Sequence, residues 1–396
     1  MLVEDTLRGR DSDGIPPPGA PKRIMIVAGE ASGDLHGSNL VLAMKALQPA
    51  LVFFGVGGRK MKDAGVELIA DCADMAVVGL TEVITRLNFI LKTMGRLKAL
   101  MKSLRPDLVI LIDYPDFNLP LARAAKRYGI KVFYYISPQV WAWRKGRMAS
   151  IRERVDRMAV ILPFEEDLYR KAGVRATFVG HPLLDVVKRR YSEQEAGKRF
   201  GLKEDSKTVA LLPGSRRSEV TRILPEMIGA AEILTRQFPG IQFLIPLAET
   251  LDEAFVRPMI GSGAGEIKIV QDDVYDVVGS ADAAIVASGT ATLETALLMT
   301  PMVIVYRVSP LSYHIGKLLI GIENIGLVNI IAGRKIVPEL IQKEACPERM
   351  AAEVTAILKS SSRRKGMKGD LAAIRERLGR PGAAGRAAEV ALELLV

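Results

Sequence analysis

Short apolar runs that end in glycine, proline, serine or aspartate, most of them followed by a helical stretch, recur along nearly the whole chain. The first, Arg23-Ile-Met-Ile-Val-Ala28, breaks at Gly-Glu-Ala-Ser-Gly-Asp and leads into an apolar-periodic stretch from about Leu35 to Leu47. Similar runs stand at 51–56, 107–112, 131–136, 157–162 and 176–179, with helical patterns between most of them. Strands alternating with helices imply a parallel sheet covered on both faces. After Gly180-His181-Pro182 a charged helical stretch opens a second series of runs, at 208–212, 242–246, 266–270, 282–287 and 302–306. The chain therefore reads as α/β, with two Rossmann-like, doubly wound domains that face a cleft and join near residues 181–190. Ligands of such sheets bind beyond the carboxyl ends of strands, and that rule selects the loops to inspect.

A length of 396 residues suits two domains better than one. The formal net charge of +10 favours phosphate-bearing partners, which could be nucleic acid, an anionic membrane or a phosphorylated substrate. The basic residues are dispersed and form no recognition motif, which argues against nucleic acid. Cys72 and Cys346 are far apart, so a disulfide scaffold or zinc site is not expected and a reducing compartment is the simpler reading. Residues 1–21 are polar and proline-rich, read as a disordered leader and not a signal peptide. No apolar stretch is clean enough to span a bilayer: the nearest, 283–306, holds Glu294 and Pro301. Membrane contact is therefore expected to be peripheral.

Four loops at strand ends carry chemistry, and a fifth partners one of them. In Gly29-Glu30-Ala31-Ser32-Gly33-Asp34, Ser32 or Asp34 can cap the following helix. Asp34 can equally do catalytic work, and Glu30 is harder to explain as structure. The glycine spacing meets neither the dinucleotide fingerprint nor a Walker A motif. In Asp113-Tyr114-Pro115-Asp116-Phe117-Asn118, Asp116 or Asn118 suits a cap. That leaves Asp113, at the strand tip, as the better general base. Both tryptophans, Trp141 and Trp143, fall in the loop after 131–136 beside Arg144. They can stack on a sugar, line an acyl groove, or simply fill a core.

In the second series, Pro213-Gly214-Ser215-Arg216-Arg217 turns from strand to helix, an arrangement that binds a diphosphate through backbone N–H groups and arginine. Ser288-Gly289-Thr290 makes a similar turn. Glu294, one turn later, can take ribose hydroxyls or complete a cap. His36, His181 and His314 each fall in a motif-like segment, and none is assigned as base. No Asp-x-Asp pair stands at a strand end, so no metal and no cofactor is expected.

The stretch Val77–Met94 places Leu80, Val83, Ile84, Leu87, Ile90, Leu91 and Met94 on one helical face. Val77, Val78 and Phe89 widen that stripe beyond a core face, with Arg86, Lys92, Arg96 and Lys98 alongside. A helix of this kind can dock on an anionic membrane and capture acyl chains through Leu87 and Phe89.

Taken in order, these segments resemble the lipid-A-disaccharide synthase family. So do Leu-Pro-Phe-Glu at 162–165, Gly-His-Pro at 180–182 and the run from Asn329 to Leu340. The resemblance extends from about Arg23 to the final helices. It implies an inverting glycosyltransferase of the B fold. The implied donor is UDP-2,3-diacylglucosamine and the implied acceptor 2,3-diacylglucosamine 1-phosphate. The products would be UDP and a β-1′,6-linked disaccharide 1-phosphate.

With the loop chemistry read beside that resemblance, residues 22–183 are expected to take the acceptor and lipid, through Ser32, Asp34, Asp116, Trp141, Trp143, Leu87 and Phe89. Residues 184–362 take the UDP-sugar, through Gly214, Ser215, Arg216, Ser288, Gly289, Thr290, Glu294 and Asn329. Residues 363–396 cross back or are exchanged in a homodimer. Asp113 and Glu30 are the catalytic candidates, Asp113 matching the family's essential aspartate and Arg216 its UDP-binding arginine. Tyr114 stands where the family commonly has a small residue. The expected location is the cytoplasmic face of the inner membrane. A UDP-sugar 2-epimerase and a non-catalytic nucleotide- or lipid-binding module are the competing readings.

Overall fold

The computed structural model describes residues 21–75, 80–138, 146–248, 250–261, 265–309 and 324–396, without the side chains of 80–86. Trp141, Trp143 and His314, with Val77, Val78 and nearly all of the leader, lie outside the described residues.

The chain divides into two compact units. One ends at Pro182 and resumes at Arg380–Val396, and the other is Leu183–Gly379. The first unit has seven parallel strands: β1 (Arg23–Ala28), β2 (Val52–Gly57), β3 (Val66–Asp71), β4 (Leu108–Ile112), β5 (Lys131–Tyr135), β6 (Arg157–Val160) and β7 (Ala176–Phe178). They lie in the order β3-β2-β1-β4-β5-β6-β7. The second has β8 (Thr208–Leu212), β9 (Gln242–Pro246), β10 (Glu266–Val270), β11 (Ala283–Ala287), β12 (Met302–Tyr306) and β13 (Glu339–Ile341), in the order β10-β9-β8-β11-β12-β13. β3 and β13 were not among the apolar runs. Both are edge strands, and in both a glutamate interrupts the apolar pattern: Glu67 is half-buried, and Glu339 is buried with its carboxylate accepting from Ile325 N, Gly326 N and Asn329 Nδ2.

Central strands such as β4 and β8 are buried along their whole length, as both-faced sheets require. In the first unit, one layer takes Leu97, Leu100 and Met101 of the helix Leu80–Leu104 together with Phe117, Leu121 and Ala125 of Pro115–Arg127. The other layer takes Leu40, Val41 and Met44 of the helix Ala31–Leu47. The last helix, Ala383–Leu392, joins that second layer through Ala387, Ala388 and Ala391. It is fastened by Arg386, whose Nε donates to the Val179 carbonyl at 2.9 Å, and by the Arg157–Glu393 ion pair. The preceding helix, Ser361–Arg377, belongs instead to the second unit, where it buries Leu371 and Ile374.

Both sheets start in the middle, wind to one edge, and return to the other side of the first strand. β1 and β4 therefore flank the switch point of one sheet, and β8 and β11 that of the other. In open parallel sheets ligands bind outside the strand ends at such a point.

Candidate active site

At the first switch point the loops after β1 and β4 are in contact. Gly29 has no room for a side chain, since a Cβ would lie 2.3 Å from the Tyr114 ring. Asp113 and Tyr114 are both left-handed, with φ of 44° and 45°. Such conformations cost ~1–3 kcal/mol each in residues with a side chain, and surrounding structure must hold them. Here Asn118 Nδ2 donates to the carbonyls of Ile112 at 3.1 Å and Asp113 at 2.7 Å, and the Tyr134 hydroxyl donates to Asp113 O at 2.5 Å. Asn118 and Tyr134 are buried, so this brace is rigid. The sequence offered Asn118 as a cap; in the fold it positions the base candidate.

The Asp113 carboxyl is pushed up to about 6, by lost hydration and then by the Glu30 carboxylate, against the Tyr114 backbone N–H. Water still reaches the residue, so screening tempers the effect without reversing its sign. A carboxylate poised near neutrality and open to solvent can take a proton from an incoming hydroxyl. Glu30 is exposed at the end of the same pair of loops.

The remaining candidates of this unit divide. Asp34 is buried, and its carboxylate accepts from the backbone N–H of Gly58 at 2.7 Å, Met61 at 3.0 Å and Lys60 at 3.1 Å. It caps the short helix Arg59–Asp63 and not its own helix, which begins at Ala31 and so leaves neither Ser32 nor Asp34 at the cap position. Ser32 is exposed there. Asp116 pairs with Arg147. His36 and His181 are driven down to about 4 and about 3, chiefly by burial, so neither suits a base near neutral pH.

The loop that carries the tryptophans begins at Ile136, a β-branched residue at φ 62°. Ser137 Oγ donates to buried Glu165 at 2.6 Å, and the Tyr169 hydroxyl donates to Pro138 O at 3.0 Å. The Leu-Pro-Phe-Glu segment thus anchors the start of that loop.

In the second unit, Arg216 precedes the 21-residue helix Arg217–Gln237. The backbone N–H groups of Ser215 and Arg216 point at the Glu219 carboxylate at 3.2 and 3.3 Å, and Arg216 Nη1 reaches its other oxygen at 3.0 Å. Gly214, at φ 113°, is required because a Cβ would lie 2.5 Å from Glu219 Oε2. The turn therefore holds an anion already, supplied by its own helix. Sequence reading missed this role of Glu219. The signal was its place three residues after the cap, where a side chain folds back on the N–H groups.

On β11's side of this switch point, Ser288 lies next to the Ile325 carbonyl at 3.4 Å, and Gly289 and Thr290 are exposed. The half-buried Glu294 accepts from the Tyr275 hydroxyl at 3.2 Å, and burial raises its pKa. Asn329 is different: it is fully buried. Its amide donates to Val337 O and Glu339, and its Oδ1 accepts from the N–H groups of Ile336 and Val337. Every polar atom of that side chain is committed to holding residues 325–339 in place.

The family model described as lipid-A-disaccharide synthetase matches residues 24–393. The chain is also 60% identical to lipid-A-disaccharide synthase of Syntrophus aciditrophicus over 375 residues, which cover 94% of this chain and 98% of that one. The chain belongs to the lipid-A-disaccharide synthase family. It is accordingly a UDP-sugar glycosyltransferase of lipid A biosynthesis. Two solved structures show how widely the family's fold is shared. The Neisseria meningitidis UDP-GlcNAc 2-epimerase bound to UDP-GlcNAc superposes with a TM-score of 0.62 at 12% identity, covering 94% of this chain and 98% of that one. The calicheamicin glycosyltransferase CalG4 superposes with 0.60 at 15%, with the same coverage. At such identities the likeness concerns fold alone, and an epimerase reading is not favoured.

Proposed function

We propose that the enzyme transfers 2,3-diacylglucosamine from UDP to the 6-hydroxyl of 2,3-diacylglucosamine 1-phosphate. The hydroxyl oxygen bonds to the donor's anomeric carbon while the bond from that carbon to the diphosphate breaks. Asp113 takes the proton, and the electron pair leaves with UDP. Attack opposite the leaving group inverts the centre. Arg216 and the N–H groups of Ser215 and Arg216 meet the charge that grows on the diphosphate, which takes the place of the Glu219 carboxylate. The observation that carries this reading is Asp113: a strained, braced, solvent-reachable carboxylate whose pKa is raised toward neutrality.

Purified protein given both acylated sugars should release UDP and the disaccharide 1-phosphate, and should release no UDP from donor alone. Conversion of donor alone into a C2 epimer would overturn the proposal.

We further propose a cytoplasmic, peripheral position on the anionic inner-membrane surface. Among the described residues no helix is long and apolar enough to cross a membrane. The helix Leu80–Leu104 leaves Leu87 and Leu91 exposed, at 49% and 58%, beside exposed Lys92 and Arg96. Phe89 is half-buried against the core, so Leu91 is the better partner to Leu87 for lipid contact. Withdrawing two leucines from an apolar phase costs each ~1.5–3 kcal/mol when transfer is complete. Leu87→Ser with Leu91→Ser should therefore lower sedimentation with phosphatidylglycerol vesicles about 10-fold or more, with circular dichroism unchanged. Undiminished sedimentation would place the membrane contact elsewhere.

A further inference from the structure

The helical layer over one face of the first unit's sheet encloses a cavity of about 330 Å³. Three helices bring cations to it: Lys98 from Leu80–Leu104, Arg123 and Arg127 from Pro115–Arg127, and Arg154 from Arg147–Arg154. Pro120, Ala124 and Tyr128 complete the wall, and no carboxylate lines it. Neighbouring Lys126 and Arg147 pair with Asp156 and Asp116, whereas none of these four cations has an ion pair among the described residues. Arg154 is fixed to the wall, with Nη1 donating to Leu119 O at 3.3 Å. Four like charges converging on one concavity repel each other and focus a positive field there, and an anion of matching size relieves both.

The position of the cavity narrows the kind of anion. Arg127 closes a 13-residue helix that opens at Pro115, next to Asp113. A rise of 1.5 Å per residue puts Arg123 and Arg127 ~12 and ~18 Å along the helix from Pro115, so the cationic end of the cavity stands apart from Asp113. Lys98 is also 7 and 11 residues beyond Leu91 and Leu87, spacings that return to the same helix face. The exposed leucine pair and the cationic cavity thus follow one another along one side of one helix, ~10–16 Å apart. A phosphate attached to acyl chains matches both features; a free phosphate matches only one.

We propose that this cavity binds the phosphate headgroup of an anionic phospholipid, so that the enzyme docks on a defined lipid and not on diffuse surface charge alone. The proposal rests on the membrane reading of the leucine pair but is tested apart from it. Monomeric dihexanoylphosphatidylglycerol is titrated into the full-length protein by calorimetry. The expected result is saturable binding at one site, weakened about 10-fold or more by Arg123→Ala with Arg127→Ala. Lys98→Ala should act in the same direction. Turnover on detergent-dispersed substrates should stay at the wild-type level in all these variants. Inorganic phosphate should bind wild-type protein at least 10-fold more weakly than the short-chain lipid. Unchanged lipid binding in the arginine variant overturns the proposal, and so does inorganic phosphate binding as tightly as the lipid. The leucine variants report separately. If they keep full vesicle binding while the arginine variant loses the short-chain lipid, the leucine reading fails and the cavity assignment stands.

Discussion

Asp113→Ala should reduce turnover ~10²–10⁴-fold, the usual cost of losing a general base, while UDP binding survives. Binding should survive because Asp113 belongs to one unit and the diphosphate turn to the other. The fold should survive as well. The native state holds this carboxyl at about 6, above its ordinary 3.8. Its contribution to stability therefore falls as pH rises from about 4 to 6, and the charged form is a net cost at pH 7. Removing the charge relieves that cost.

The same pKa sets a pH profile. As pH falls below about 6 the base becomes protonated, and kcat/KM should drop about tenfold per unit. Glu30 raises that pKa by charge alone. Glu30→Gln should accordingly move the acid limb to lower pH and leave the plateau in place. A collapsed plateau in Glu30→Gln, with near-normal turnover in Asp113→Ala, would make Glu30 the base and Asp113 the neighbour.

Arg216→Ala is expected to weaken UDP binding by ~1.5–3 kcal/mol, the range for hydrogen bonds to charged groups. That is about 10- to 150-fold in Kd. Turnover should fall further than binding, because the contact strengthens as charge develops on the leaving diphosphate. The arginine is well placed for this. Its guanidinium is exposed and presently satisfied by Glu219 across three residues, a pairing that a diphosphate can outcompete with more charge and more oxygens. Calorimetric titration of UDP measures the effect. Unaltered affinity would transfer the role to Arg217, which now stacks over the Phe255 ring at 4.6 Å from its centroid.

Much of this was legible before any coordinates. Short buried runs such as Leu108–Ile112 and Thr208–Leu212 are strands because they are too short for a helix and are bounded by turn residues such as Pro106, Pro115, Pro213 and Gly214. Each such strand pointed to the loop at its carboxyl end, which is how Asp113 and Arg216 stood out. Periodicity over Val77–Met94 likewise announced a helix, which the structure shows over Leu80–Leu104, though not which side of it faces solvent. The edge strands Val66–Asp71 and Glu339–Ile341 escaped notice because a strand paired on one side needs less apolar character.

The sequence by itself therefore determined the alternation of strands and helices, the loops that matter, and the family, because these follow from local spacing and from ordered motifs. Only the tertiary structure decided what each polar side chain is for. Asp34 and Asn329 sit in motifs of the same kind as those that hold Asp113 and Arg216, and composition cannot tell them apart. In the fold Asp34 meets three backbone donors and Asn329 four partners, so both are spent on structure. Asp113 keeps its carboxylate open to solvent and gives only its carbonyl to the brace of Asn118 and Tyr134. The physical reason is that a hydrogen-bonding group is committed or available according to its neighbours in space, and Tyr134 lies 21 residues from Asp113 along the chain.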